Sequence, residues 1–438
     1  MKLPGRSVLA AALLLHSTLA AAQPQQQVLT LERAIEIAVA QQPALRQSRA
    51  AVEAARGRVD LARVARRPTV NLSASAAIGS SFARPCPPPN EAQTCGGFFD
   101  PTTSTGLGAQ ASWRLYDFGQ TAIAIRAAEL SAEATAVGID TDVLDVRTNV
   151  EIAYLEAVAR QRLIAVAEAT VKSEETHLDQ ARRFVEAQAK DPIEVPQAQA
   201  RAANARSALA QAQSAQAIAL ATLRATIGWL DAARSPIVSG DWPTPPEQEP
   251  GQLAVLVEQS RKARTELRQL DKQIEAAEAN LDAASASQRP VLSANASTQW
   301  GPDEADWTPE PSWSAGITLS WQILDGGRAK AEQRIARANV ASAQAQRDAL
   351  LVSLTSELEL ARAQIVANRA NVVASNEAVT AATAQLRLAE ARYTHGLGSQ
   401  IELADAQTAV TTAGGNLVQA QWRLAEAWAQ LRRSLGER

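Results

Sequence analysis

The chain repeats itself, and this narrows the folds open to it more than any local pattern does. Trp113-Arg114-Leu115-Tyr116-Asp117-Phe118-Gly119 has a counterpart in Trp321-Gln322-Ile323-Leu324-Asp325-Gly326-Gly327, 208 residues further on. The same offset carries Arg126 onto Arg334, Glu194 onto Glu402, Gln199 onto Gln407 and Ile227-Gly228 onto Leu435-Gly436. One spacing held over so long a stretch marks a duplicated unit. Upstream the offset is 222, matching Leu45-Arg46-Gln47 to Leu267-Arg268-Gln269 and Arg67-Pro68 to Arg289-Pro290. The difference of 14 residues is an insertion between Pro68 and Trp113. Loops accept insertions more readily than strands, so this stretch reads as an exposed loop. A linker over 229–250, with Pro236, Pro243, Pro245, Pro246 and Pro250, separates a first unit (23–228) from a second (251–438).

Within each unit two periodicities alternate. Val70, Leu72, Ala74, Ala76 and Ile78 fall on one face of an extended segment, with Asn71, Ser73 and Ser75 on the other. Trp313, Ala315, Ile317, Leu319, Trp321 and Ile323 alternate with Ser314, Gly316, Thr318, Ser320 and Gln322. Strands are predicted at 69–80, 105–116, 291–300 and 313–324. Period-two alternation over about ten residues suits a membrane barrel strand, apolar side out. Tryptophans at the strand ends suit an interfacial belt. A soluble, half-buried hairpin fits the alternation too. Four strands cannot close a barrel, whose smallest examples have eight, so a barrel reading requires several copies.

The remainder reads as helix: a long one over 119–189 with a return at 193–227, and a second over 327–395 with a return at 401–436. About 70 helical residues would extend roughly 100 Å. Leu354, Leu358, Ala361, Ile365, Asn368, Val372, Ser375, Val379, Ala382, Leu386, Ala389 and Tyr393 keep a spacing of three or four. Leu403, Ala406, Val410, Ala413, Leu417, Ala420, Leu424, Ala427 and Leu431 alternate three and four without a break. This is a coiled-coil seam, and its alanines let helices approach closely. Reversals are predicted at 394–399 and at Lys190-Asp191-Pro192.

The first residues run from basic (Lys2, Arg6) to apolar (Val8 to Leu15) to small (Ala20-Ala21-Ala22), the order of a secretory signal cleaved after Ala22. An apolar start to a buried helix is the competing reading. Cys86 and Cys95 are the only cysteines. In an oxidising compartment they are expected to form one local disulfide, with two free thiols as the alternative. The formal charge of −3 leaves no basic footprint for nucleic acid. No nucleophile elbow, phosphate loop or metal-ligand spacing occurs, so no cofactor is expected and an envelope hydrolase is disfavoured. His177, alone on its helix, is expected on a solvated surface, and His395 at a turn.

Hairpin, long helix, tip turn and return helix, performed twice, resemble the TolC family of outer-membrane efflux proteins over essentially the whole mature chain. The resemblance rests on the corners Asp117-Phe118-Gly119 and Asp325-Gly326-Gly327, on 393–407 (Tyr393-Thr394-His395-Gly396-Leu397-Gly398 onward), and on the opening Leu29-Thr30-Leu31-Glu32-Arg33-Ala34. It implies a mainly α protein with a membrane β-barrel. Three copies would form a 12-stranded barrel in the outer membrane of a Gram-negative bacterium and a periplasmic helical barrel. Outer-membrane lipid, a periplasmic adaptor and an inner-membrane pump or secretion transporter are the implied partners. By the same resemblance Glu402 and Asp405 match acidic residues that ring the periplasmic aperture, while Tyr393 and Glu194 match a contact that keeps the tips shut. Gly396 and Leu397, with Asp191 and Pro192 at the other tip, match the turns that meet the adaptor. Departures are Gly398 where some members carry a basic residue, Gln197 in place of an acid opposite Asp405, and Asp191-Pro192 in place of a glycine turn.

Simpler roles exist for each. Glu402 and Asp405 suit the positive N-terminal end of the return helix, Tyr393 fits the seam, and Glu194 fits a first helical turn. A trimeric coiled-coil spacer or adhesin would also need long helices, but not paired strands and a return helix in each unit. The cargo, drug or protein, is not encoded in these features. The single methionine, Met1, disfavours a Cu(I) cargo, which calls for soft sulfur ligands.

Overall fold

Two aspartates turn strand into helix, once in each copy. In the computed structural model, Asp117 Oδ1 accepts the Gly119 N–H at 3.1 Å and Oδ2 accepts the Thr121 N–H at 2.9 Å. Asp325 repeats this on Gly327 at 2.9 Å and Ala329 at 2.8 Å. Gly119 and Gly327 take left-handed φ of 92° and 91°, a conformation nearly free of cost only to glycine. The residues described are 28–79, 102–230, 237–240, 242, 246, 249–302 and 309–437. The expected signal segment and both Cys86 and Cys95 lie outside them.

The first copy contains β1 (Val28–Leu29), α1 (Leu31–Gln41), α2 (Pro43–Val64), β2 (Thr69–Gly79), β3 (Thr102–Tyr116), α3 (Gln120–Glu186) and α4 (Glu194–Ile227). After β4 (Ile237–Val238), the second contains α5 (Leu253–Ala263), α6 (Thr265–Ala286), β5 (Val291–Pro302), β6 (Pro309–Ser320), α7 (Arg328–Thr394) and α8 (Gln400–Leu435). Both bounds of α7 lie one offset beyond those of α3, and both helices hold 67 residues. The segment between the copies is not wholly irregular, since β4 pairs in parallel with β1. No described helix is long and apolar enough to cross a membrane.

Strands β2, β3, β5 and β6 form one antiparallel sheet in that order. Its register sorts the side chains. Leu72 pairs with Ala109, Leu107 with Trp300, and Ala294 with Ile317, while Asn71 pairs with Gln110 and Ser297 with Ser314. One face is thus apolar and exposed (Val70 73%, Ile317 69%, Trp313 81%), the reverse of a globular sheet. β6 ends at Ser320, short of the 324 expected from alternation. It is an edge strand, so residues 321–324 have no partner strand among the described residues. Trp321 instead donates Nε1–H to Gln288 O at 3.1 Å, as Trp113 does to Arg66 O at 3.0 Å.

Below the sheet the helices pair as α3 with α4, α7 with α8, and α3 with α8, and α2 and α6 pack against the long helices. Every predicted seam position on α7 and α8 is buried or half-buried. The two cores repeat as the sequence does. Val146, Val150, Leu223 and Ile227 hold in the first copy the places of Leu354, Leu358, Leu431 and Leu435 in the second.

Partial burial pushes the Asp117 carboxyl up. The Thr121 hydroxyl and N–H, the Gly119 N–H and Arg114 outweigh it and hold the pKa below the usual carboxylate range. Asp325 is lowered by the N–H groups of Ala329 and Gly327. A depressed carboxylate stabilises the fold above its unfolded pKa of about 4, and that stabilisation is lost as pH falls through the folded value. Thermal midpoints should therefore drop as pH falls from about 5 to 3, and less steeply in an Asp117→Asn, Asp325→Asn double variant. Equal slopes would remove the corners from the acid response.

Candidate functional site at the helix tips

Both long helices end in the same hydrogen-bonded reversal. After α7, Leu397 N–H donates to Arg392 O at 2.8 Å and Gly396 N–H to Tyr393 O at 3.1 Å. After α3, Ala189 N–H donates to Phe184 O at 2.8 Å and Gln188 N–H to Val185 O at 2.9 Å. Each is a left-handed C-terminal cap. Gly396 (φ 72°) fills the left-handed place in one, Gln188 (φ 57°) in the other. The chain then restarts differently. Ser399 Oγ accepts the Glu402 N–H at 3.1 Å and caps α8. Asp191 Oδ1 accepts the Ile193 N–H at 3.0 Å ahead of α4, with Pro192 holding the turn.

The two tips meet at Tyr393. Its ring is 1% exposed and packs on Ala389, Leu403 and Ala406, edge-on to Phe184 at 5.7 Å. The hydroxyl donates to Glu194 Oε2 at 2.8 Å. Lys190 closes the knot, with Nζ 5.1 Å from the Tyr393 ring centroid, 4.0 Å from Glu194 Oε1, and donating to Gly398 O at 3.2 Å. Gln400 donates to the Glu194 carbonyl at 2.9 Å. A side chain at 398 would press on the Arg392–Tyr393 backbone, since an added Cβ there lies 3.1 Å from Tyr393 N. The cation in this knot thus comes from the other tip, as Lys190, which stands one repeat offset before Gly398. Inspecting position 190 in the aligned copies would have found it.

The remaining predicted residues are not in this knot. Glu402 is exposed and pairs with Arg392 Nε at 3.1 Å. Asp405 and Gln197 are exposed, and no hydrogen bond or ion pair joins them among the described residues. Asp191, Pro192, Gly396 and Leu397 (75% exposed) stand at the surface of the two turns. His395 is exposed, but His177 is not on a solvated surface as expected. It is 6% exposed, with Nε2 3.1 Å from Ser173 Oγ and 3.9 Å from Glu390 Oε1. Ser173 in turn donates to Gln407 Oε1 at 2.8 Å, so these polar groups pair across α3, α7 and α8. No cluster of metal-ligating residues occurs among the described residues.

The outer membrane efflux protein family model matches residues 34–229 and 256–437. Protein CyaE of Bordetella pertussis is 31% identical over 392 residues, spanning 87% of this chain and 78% of the relative. A membrane protein of Pseudomonas aeruginosa superposes with a TM-score of 0.75 at 24% identity, covering 93% of this chain and 90% of that one. The CmeC outer membrane channel of Campylobacter jejuni gives 0.76 at 14% identity, with coverages of 93% and 85%. These two likenesses are of fold.

Burial and the Glu194 carboxylate together push the Tyr393 pKa well above the ordinary tyrosine value. The sign follows. A raised folded pKa gives stability that is complete below about pH 10 and is lost as pH climbs toward the folded value. Tyr393→Phe should cost about 1.5–3 kcal/mol, the worth of a hydrogen bond to a charged group, and should make the alkaline loss less steep. Unfolding midpoints measured from neutral to strongly alkaline pH test both.

Proposed function

The chain belongs to the outer membrane efflux protein family, and on that premise we propose that it works as three copies around one continuous passage. It is an outer-membrane exit duct for efflux or type I secretion, in a family of channels. The observation that carries the trimer is the sheet, with an exposed apolar face, a polar face, and free edges at β2 and β6. Hydrocarbon offers nothing to pair an open edge. Edge β6 of one copy meeting edge β2 of the next closes the ring, and three copies of four strands give twelve. The unpaired 321–324 then gain a partner. The helices extend about 100 Å into the periplasm. Their exposed turns, Asp191-Pro192 and Gly396-Leu397, face an adaptor, which links the duct to an inner-membrane pump or secretion transporter that supplies the energy. A coiled-coil spacer has no use for an apolar sheet face.

At the closed tip, threefold symmetry repeats each carboxylate as a ring that attracts cations and repels anions. Arg392 offsets Glu402, so Asp405 carries more of the field. The Tyr393–Glu194–Lys190 knot holds the two hairpins of one copy together there. Cys86 and Cys95, outside the described residues, are proposed to form one local disulfide in an oxidising compartment.

The reading is tested by reconstituting purified mature protein in planar bilayers beside its detergent mass. Trimers with stable pores are expected, and a pore-less or monomeric protein would return the spacer. Glu402→Ala with Asp405→Ala should raise conductance or abolish cation preference, with Asp405→Ala alone giving the larger part. Unchanged conductance and selectivity would remove both from the gate. Non-reducing mass spectrometry of envelope material should find Cys86 linked to Cys95, and free thiols would sink that assignment.

A further inference from the structure

One glycine inside a helix has no explanation among the described residues of its own chain. Gly57 lies in the middle of α2, and glycine weakens a helix interior. The other glycines inside described helices face a side chain. A Cβ at Gly138 would lie 3.0 Å from Gln269, and those at Gly414 and Gly415 would meet Val166 and Leu163. At Gly57 nothing lies within 4 Å.

The internal repeat says what belongs there. Helix α6 packs on α3 within the chain, and their contact is a buried cluster of Ala276 and Ala279 with Ala127 and Leu130. Moved by the two offsets, the same contact joins α2 to α7 through Ala54, Gly57, Ile335 and Ala338. All four are exposed, Ile335 to 62%. The exchange is also complementary in volume. The large residue moves from one α3 position (Leu130) to the other on α7 (Ile335), and the facing helix yields space by having glycine where α6 has Ala279. A second contact of the same interface tells the same story. Arg289 Nη1–H donates to Phe118 O at 2.7 Å, binding the end of α6 to the first corner. Its counterpart Arg67 makes no side-chain hydrogen bond or ion pair among the described residues. Among the described residues no hydrogen bond is made to the carbonyl of Gly326, the counterpart of Phe118, and a Cβ at Gly326 would meet nothing within 4 Å.

We infer that α2 of one copy docks on α7 of the next, with Ile335 seated over Gly57 and Arg67 donating to the Gly326 carbonyl. The occupant of both surfaces is a second copy of this chain, and the inference rests on the trimer reading above. Helices α2 and α6 then alternate round the ring as clamps, one inside each chain and one between chains.

Cysteines placed by Gly57→Cys and Ile335→Cys, treated with a short bis-maleimide in detergent, should give a covalent trimer on a denaturing gel. Neither single variant should do so. Wild-type protein of trimeric mass whose double variant stays uncrosslinked overturns this contact alone, whereas monomeric wild type overturns the trimer and the contact together. A second variant works by sign. Gly57→Leu should leave the helical content intact or raised yet lower the temperature at which trimers dissociate, and Ile335→Ala should restore part of the loss. Unchanged trimer dissociation in Gly57→Leu overturns the proposal.

Discussion

A sheet edge in hydrocarbon must find a partner, because no water is present to satisfy its N–H and C=O groups. In this chain both edges of the four-stranded sheet belong to the outermost strands, β2 and β6, and the apolar side chains cover a face instead of a core. No other described strand joins that sheet to close it. The corners carry the same requirement down to the helices, since Asp117 and Asp325 set the exit from β3 and from the β6 segment in the same geometry. Two long helices therefore leave the sheet in step.

Duplication makes the ring possible and then departs from it where a ring would be insufficient. From corner to mid-helix the copies agree in element bounds and in buried positions. At the tips they diverge. Phe184 stands for Arg392, Gln188 for Gly396, and Lys190 for Gly398, one repeat offset apart in each case. The divergence lets one tip act on the other: Lys190 reaches the Gly398 carbonyl and Tyr393 reaches Glu194. Identical tips would offer two copies of the same donor or the same acceptor. Unlike tips form a closed set of charge and hydrogen bond.

Much of this was legible in the residues. Alternation located the four strands, and the seam of three and four located the packed face of α7 and α8, because those elements are covered on few sides. Helix α3 defeated the same reasoning. It packs against α4, α8, α2 and α6, so its buried residues lie nearly all round, and a helix covered that way has no single periodic stripe. His177 was misplaced for this reason. The end of β6 was overestimated because alternation reports which way side chains face, not whether a strand has a neighbour. At the tips, Glu194 and Tyr393 could be matched one by one. The part played by Lys190 depends on a contact between residues 208 apart, which only the fold brings together.

The placement of charge separates passage from selection. The middle of the sheet's polar face is lined by neutral side chains (Ser73, Ser75, Gln110, Ser297, Gln299 and Ser314), with the charged Arg114 near its lower end. Such a wall hydrates a solute without choosing its sign. Exposed carboxylates in a wide aqueous tube are screened beyond about 8 Å at physiological salt, so a charge can discriminate only where the passage is narrower than that. Glu402 and Asp405 stand on the first turns after the tip, where the helices can draw together, and Arg392 already offsets one of them. In the aperture proposed above, sign selection follows tip closure. On that proposal, tips drawn apart by more than the screening distance would leave the carboxylates without purchase on a solute's charge, so selection would then fall to whatever delivers the cargo.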